Sequence, residues 1–170
     1  MTAPPPVPLA FAIRPAAPAD VPAVLQLIRG LAKYAKLQDS CVVTEELLRD
    51  QLFGSLPAAE AWVAQVEPQR LVGFALFFTS FSTFLGKRGL YLEDLFVVPE
   101  ARARGVGRAL MLQLARIAVE RDYGRFEWSV LEWNAPAIGF YKQLGANLLP
   151  ELRLCRLSGQ ELMNVATLDR

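Results

Sequence analysis

The hexapeptide Arg102-Ala103-Arg104-Gly105-Val106-Gly107 directly follows the apolar run Leu95-Phe96-Val97-Val98 and opens a long helical pattern. Two glycines at the mouth of a helix let backbone N–H groups come close to an anion, and the helix dipole favours a diphosphate there. Arg102, Arg104 and Arg108 surround that mouth, and three guanidinium groups repel one another unless they are solvated or share an anion. A paired acid, Glu93-Asp94, lies upstream, and Asn134 and Tyr141 lie downstream. An anion cradle between candidate acid and base groups is the pattern of an enzyme site. Taken alone, the turn serves equally well as a strand-to-helix connection that needs positive φ at Gly105 or Gly107. No Gly-Lys-Ser/Thr follows it and a third glycine is missing, so it is neither a nucleotide P-loop nor a dinucleotide fingerprint.

The other groups each have a structural and a chemical reading. Asn134 and Tyr141 are seven residues apart on one predicted helix, about two turns, and so share a face. Asn134 serves as an N-cap, and Tyr141 beside Phe140 as either a core aromatic or a general acid. Lys142 is an exposed helix lysine or a phosphate contact. Glu93 and Asp94 are consecutive on a strand, so they face opposite ways unless a bulge intervenes.

Composition narrows the chemistry. The chain has no histidine, which removes Ser-His-Asp and Cys-His catalysis and the commonest zinc ligand. Cys41 and Cys155 have no metal-ligand spacing and read as free thiols, so no metal is expected. Lys plus Arg is 18 and Asp plus Glu 17, a net charge of +1, which argues against a nucleic-acid partner. No apolar run approaches the roughly 18 residues needed to span a bilayer, so no membrane partner is expected. Residues 1–10 hold four prolines and no basic residue and read as the flexible tail of a cytoplasmic protein, ahead of a single domain over 11–170.

The elements that must position these groups follow from pattern. Phe11 to Arg14 reads as a strand stopped by Pro15. Asp20 can cap a helix carrying Val21, Val24, Leu25, Ile28 and Leu31 on one face. Thr44 starts a shorter helix that ends at Gly54. Ala61–Val66, Leu71–Phe81 and Gly89–Val98 are three strands, the first two separated by a hairpin-like break at Glu67-Pro68-Gln69. A helix runs from about Gly105 to Arg121 with Val106, Leu110, Leu114 and Ile117 on one stripe. Phe126 to Leu131 is a further strand, and Asn134 caps a helix that Gly145 ends. Leu152 to Leu157 reads as a last strand, and Ser158 with Glu161 as a capping box for a terminal helix. The order implies a mixed sheet covered by helices, an α/β (or α+β) layer sandwich.

The run Glu93-Asp94-Leu95-Phe96-Val97 followed by Arg-x-x-Gly-x-Gly resembles motif A of the GNAT acyltransferases. Glu132-Trp133-Asn134-Ala135-Pro136-Ala137-Ile138-Gly139-Phe140-Tyr141-Lys142 resembles their motif B. With Ile13-Arg14-Pro15-Ala16, Leu31-Ala32-Lys33-Tyr34 and Tyr91-Leu92-Glu93-Asp94 added, the chain is most similar to the diamine (spermidine/spermine) and thialysine N-acetyltransferase branch, over roughly Ile13 to Leu157.

That resemblance implies a mostly antiparallel mixed sheet with two splayed parallel strands, and acetyl-CoA in the cleft between them. Pantetheine would pair with Leu95, Phe96 and Val97, and the diphosphate would sit on the turn from Arg102 through Ala103, Arg104, Gly105, Val106 and Gly107 to Arg108. Asn134, Ala135, Pro136, Ala137, Tyr141 and Lys142 would complete the cofactor side. Tyr141 is then the general acid toward the departing thiolate, and Glu93 the base toward the amine, acting through water, because a free primary amine near pKa 10 is almost wholly protonated at neutral pH. Tyr34, Ala35, Asp94, Glu127, Trp128 and Ser129 would line the acceptor side with Glu93. Homodimerisation is usual in the branch, and Phe74, Phe77, Phe78, Phe81 and Phe84 offer apolar surface for it or for the core.

The chain departs from that branch at its acceptor positions. Ala35 stands where a glutamate is usual, Ser82-Thr83-Phe84 where aspartate, proline and tryptophan are, and Leu152 where a tryptophan is. Each change removes charge or a cation-binding ring. The acceptor is expected to be a small-molecule amine: a short amine, an amino-acid side-chain amine or a thialysine-like compound. A non-catalytic CoA-binding module and an acetyltransferase for protein N-termini or lysines are the competing readings.

Overall fold

The computed structural model describes residues 9–67 and 70–168. The tail expected over 1–10 therefore lies mostly outside the described residues, as do Pro68 and Gln69 of the hairpin break. The chain divides into two compact units, one ending at Ser129 and the other beginning at Val130.

The first unit is a five-stranded sheet in the order β1 (Ala12–Pro15), β2 (Glu60–Glu67), β3 (Arg70–Ser82), β4 (Lys87–Val97), β5 (Phe126–Trp128). The first four strands are antiparallel neighbours, and β4 and β5 are parallel. Pro15 is the last residue of β1 rather than its stop, which an edge strand allows because the missing N–H costs no interior ladder bond. The β5 strand ends at Trp128, shorter than the six residues the apolar pattern predicts, and its pairing with β4 covers only Leu90 to Leu92.

Helix α1 (Val21–Tyr34) buries Val21, Val24, Leu25 and Leu27, with Ile28 and Leu31 half-buried against the same core. Phe74, Phe96 and Val63 belong to that core, as do Leu48 and Leu52 of α2 (Glu45–Phe53). Thr44 caps α2 as expected, its hydroxyl accepting the Leu47 N–H at 3.2 Å. Asp20 is the residue before α1 but does not cap it: its carboxylate accepts from the Arg14 guanidinium at 2.6 and 2.8 Å and from the Ala17 N–H at 2.7 Å. A charge-assisted bidentate pair outweighs one neutral capping bond, so Asp20 ties β1 to the start of α1 instead. Helix α3 (Val106–Glu120) buries Val106, Leu110, Leu114 and Ile117, the stripe its spacing predicts. Beyond its end, Arg121 forms a bidentate pair with Glu60 of β2, with Nη2 to Oε2 at 2.7 Å.

The second unit holds α4 (Ala135–Gln143) and α5 (Gly159–Ala166). The strand expected at Leu152–Leu157 is not formed: the segment is irregular, with Leu152, Leu154 and Leu157 all more than half exposed. A strand exists through its ladder, and among the described residues no strand pairs with this one. The terminal helix forms, but Ser158 makes no side-chain cap to it. Of the five phenylalanines, Phe74 and Phe77 are core residues and only Phe81 and Phe84 are strongly exposed, so the apolar surface expected from them is about half the size.

Candidate active site

The turn after β4 has the backbone that the glycine spacing implies. Gly105 lies at φ 86° as the residue before α3, and Ala103 also adopts a positive φ, 58°. A Cβ on Gly105 would meet nothing within 4 Å, so it is the left-handed backbone and not crowding that calls for glycine. No side chain caps α3. Its first-turn N–H groups have no intrahelical acceptors, which leaves them for an anion.

Arg104 and Arg108 are exposed beside this mouth, but Arg102 turns away from it. Its guanidinium lies 4.9 Å from the centre of the Tyr34 ring and 5.6 Å from that of Phe96, and its Nε donates to the Val97 carbonyl at 2.9 Å. Cation–π attraction and a charge-assisted bond fix it there. Tyr34, at the end of α1, and the turn are thus brought together, a link that spacing 68 residues apart in the chain cannot reveal.

On the other side, β4 continues from Glu93 to Val97 with no β5 residue opposite it. Among the described residues, Leu95, Phe96 and Val97 pair only with Ala75, Phe74 and Gly73 of β3, so this stretch presents a free edge. An extended amide-bearing ligand can add to such an edge as a strand would. The edge leads straight to the Gly105 turn, and together they form a slot for a long ligand with a diphosphate end. The residues present fit acetyl-CoA.

The paired acids sit at a β-bulge. Leu76 opposes Asp94 and Phe77 opposes Leu92, leaving Glu93 without a residue across from it. Glu93 is exposed, whereas Asp94 is half-buried. Burial, with the Glu93 charge adding to it, pushes the Asp94 carboxyl up to about 6. The bulge thus separates two adjacent carboxylates into one solvated and one poised near neutrality.

Of the remaining acceptor-side residues, Ser129 and Glu127 lie against Tyr91. Its ring lies 5.1 Å from that of Phe78, and its hydroxyl is 2.8 Å from the Ser129 Oγ. Glu127 opposes Tyr91 in the β4–β5 register and is ion-paired to Arg125 at 2.6 Å. Trp128 alternates to the other face, its ring 4.9 Å from Phe126. Ala35 is the residue after α1 and is half-buried. Ser82, read in the sequence as a lost carboxylate, is buried at 3% exposure and accepts from Arg125 Nη1 at 3.3 Å. Arg125 was not singled out by the motifs; its alternation with Glu127 on a strand was the available signal.

In the second unit, Asn134 caps α4, its Oδ1 accepting the Ala137 N–H at 3.3 Å, and Ala135 and Pro136 occupy the first turn. Tyr141 is buried at 8% exposure beside Phe140, ring centres 5.2 Å apart. Burial pushes its hydroxyl up to about 12. Lys142, in the last turn, is exposed.

Comparisons with known proteins agree with this geometry. The acetyltransferase (GNAT) family matches residues 28–146. An L-ornithine N5-acetyltransferase of Arabidopsis thaliana is 32% identical, with 92% of this chain and 88% of that protein covered. A thialysine N-epsilon-acetyltransferase of Sus scrofa is 39% identical over 82% of this chain and 85% of its own. The structure of an integron cassette protein from the mobile metagenome of V. cholerae superposes with a TM-score of 0.77 at 28% identity, covering 92% of this chain and 98% of that one. With its parallel strand pair parting ahead of a glycine turn, and with such relatives along nearly its whole length, this chain belongs to the GNAT family of N-acetyltransferases.

Proposed function

We propose that this protein transfers the acetyl group of acetyl-CoA to a primary amine of a small molecule, by direct attack within a ternary complex. The observation that carries the reading is the free edge of β4 from Glu93 to Val97 running into the positive-φ turn at Gly105. Pantetheine amides suit the edge, and a diphosphate suits the uncapped mouth of α3 with Arg104 and Arg108 beside it.

Glu93 takes the proton from the attacking amine through water, its exposure on the bulge giving solvent access. Asp94, raised to about 6, is the second acceptor beside it and helps to hold the amine. Tyr141 is the general acid, donating a hydrogen bond to the departing thiolate. Neither Cys41 nor Cys155 lies in the turn or on the β4 edge, so no acyl-enzyme is invoked. Tyr34, Ala35, Tyr91 and Ser129 contribute to the acceptor side.

The acceptor is a small amine of the ornithine, thialysine or polyamine kind, as the relatives' names suggest. Residues 11–170 act as one catalytic domain in a cytoplasmic homodimer, a reading supported by two free thiols and by Phe81 and Phe84 standing exposed. The test is a CoA-release assay over a library of diamines, polyamines and amino acids. Turnover of at least one class supports the reading; tight acetyl-CoA binding with no transfer to any amine overturns it.

A further inference from the structure

We propose that the Arg125–Glu127 ion pair is the subsite for the head group of an α-amino-acid acceptor, with Arg125 taking its carboxylate and Glu127 its ammonium. This rests on the acetyl-transfer reading above and names the substrate class within it. Glu127 opposes Tyr91, which lies two residues before Glu93 on β4, a separation of roughly 7 Å along a strand. That is the order of an extended lysine- or ornithine-like side chain. Between the two points, the Phe78 and Tyr91 rings, 5.1 Å apart, give an apolar floor for methylenes.

The pair is built for exchange with a ligand. Arg125 Nε and Glu127 Oε2 are 2.6 Å apart, with side-chain exposures of 38% and 33%, so both remain open to solvent on one side. Arg125 Nη1 also donates to Ser82 Oγ at 3.3 Å, which fixes the guanidinium against the sheet. Gly89 permits that approach: a Cβ there would stand 2.8 Å from Ser80 Oγ and 3.1 Å from Arg125 Cγ. Ser80 Oγ is buried there with no hydrogen-bond partner, so a polar group of the strip is left unsatisfied.

Charge decides the class. The subsite carries one positive and one negative side chain, and opening their single bridge around a zwitterion makes two. A diamine brings a second ammonium and no carboxylate, and it meets the Arg125 cation. The diamine's ammonium can pair with Glu127 as an amino acid's does, but it has no carboxylate for Arg125, and Ser82 supplies no further charge. The match is therefore to an amino acid bearing a terminal amine, and the mismatch is to its decarboxylated counterpart.

The experiment compares two substrate pairs that differ only in the carboxylate, ornithine with putrescine and lysine with cadaverine, by kcat/KM in the CoA-release assay. The wild-type protein should favour each amino acid over its diamine by about tenfold, the discrimination expected from a charge-assisted pair that is partly exposed. Arg125→Gln should bring that ratio close to one, chiefly through KM for the amino acid, and Arg125→Lys should restore part of it. Glu127→Gln tests the ammonium half and should lower kcat/KM for both members of each pair, because amino acid and diamine alike carry that ammonium. Melting curves of each variant, with their acetyl-CoA affinity, separate misfolding from altered selectivity, and Arg125→Lys keeps the charge should Arg125→Gln not fold. Equal or better use of diamines by the wild type, or an amino-acid to diamine ratio that Arg125→Gln leaves unchanged, would overturn the subsite. Absence of transfer to all four amines would instead count against the acetyl-transfer reading itself.

Discussion

The guanidinium of Arg102 lies over the ring of Tyr34, 4.9 Å from its centre, and so joins the turn before α3 to the end of α1. The same guanidinium faces Phe96 at 5.6 Å and donates to the Val97 carbonyl at 2.9 Å. One side chain therefore spans the proposed diphosphate turn, the free edge of β4 and a proposed acceptor residue. The first arginine of the motif thus braces the proposed donor and acceptor sides, and Arg104 and Arg108 are left for the proposed anion contact.

Replacing Arg102 with Gln removes two ring contacts and a charge-assisted bond. Each ring contact at a partly exposed site contributes about 0.5–1 kcal/mol and the bond about 1–2 kcal/mol. We expect the melting temperature to fall by a few degrees, and KM to rise for both acetyl-CoA and the amine. Tyr34→Phe retains the ring and should keep most of the acetyl-CoA affinity, whereas Tyr34→Leu should raise both KM values. If Arg102→Gln changed only the acetyl-CoA constant, the brace would be no more than a phosphate contact.

The turn carries two residues at positive φ but only one is glycine, and that asymmetry predicts effects of opposite sign. Gly105→Ala places a side chain at φ 86° and should destabilise by about 1 kcal/mol, or about 2–4 °C. Ala103→Gly relieves a residue held at φ 58° and should be neutral or slightly stabilising, because the released strain exceeds the added freedom of the unfolded chain. Thermal melts of the two variants measure this directly. Isothermal titration with CoA should show Gly105→Ala binding more weakly, since tilted amides meet the diphosphate poorly.

Asp94 gives the stability a pH dependence whose sign is fixed. Its carboxyl is raised from 3.8 to about 6, so the folded state holds the proton more tightly than the unfolded state does. The associated stability is fully present below about pH 4 and is lost as pH rises through about 6. Asp94→Asn abolishes that loss. The stability of the variant relative to wild type should therefore increase by about 2–3 kcal/mol between pH 4 and pH 7, as an upper range for this shift. Urea titrations at both pH values test it, and a pH-independent difference would contradict the buried-carboxyl assignment. Activity should move the other way: a rising limb near pH 6 in wild-type kcat/KM should be weakened in Asp94→Asn.

Much of this was legible in the sequence because it depends on neighbours along the chain. The α3 stripe from Val106 to Ile117, the Thr44 cap and the strand-turn-helix at Gly105 are all local patterns, and the structure has them. What escaped depends on partners distant in sequence. Asp20 looked like a cap because its competitor, Arg14, acts through folding of β1. Glu93 and Asp94 could be separated only by knowing where β3 runs, since a bulge is a property of two strands. Leu152–Leu157 alternates like a strand, but alternation does not supply a ladder. Ser82 read as a deleted charge because Arg125, 43 residues on, is what fills the place.

Tyr141 tests the chemistry itself. Burial raises its hydroxyl to about 12, above the ordinary 10 of a phenol, so it remains protonated at neutral pH and up to about pH 10. The linked stability is present below about pH 10 and is lost only as pH approaches 12, so ionisation of Tyr141 contributes no alkaline limb to kcat below about pH 10. A phenol this weakly acidic is a poor full proton donor to a thiolate, since a thiol near 8.5 is the stronger acid. In the proposed mechanism its main contribution is then a hydrogen bond to the developing thiolate in the transition state. That places the effect of Tyr141→Phe at the lower end of general-acid contributions, a fall in kcat of about a hundredfold. KM for acetyl-CoA and for the amine should change little, because the interaction strengthens only in the transition state. Steady-state kinetics of Tyr141→Phe across pH 7–10 decide the matter: a parallel drop at all pH values supports the hydrogen-bond role, while an unchanged kcat removes Tyr141 from the reaction.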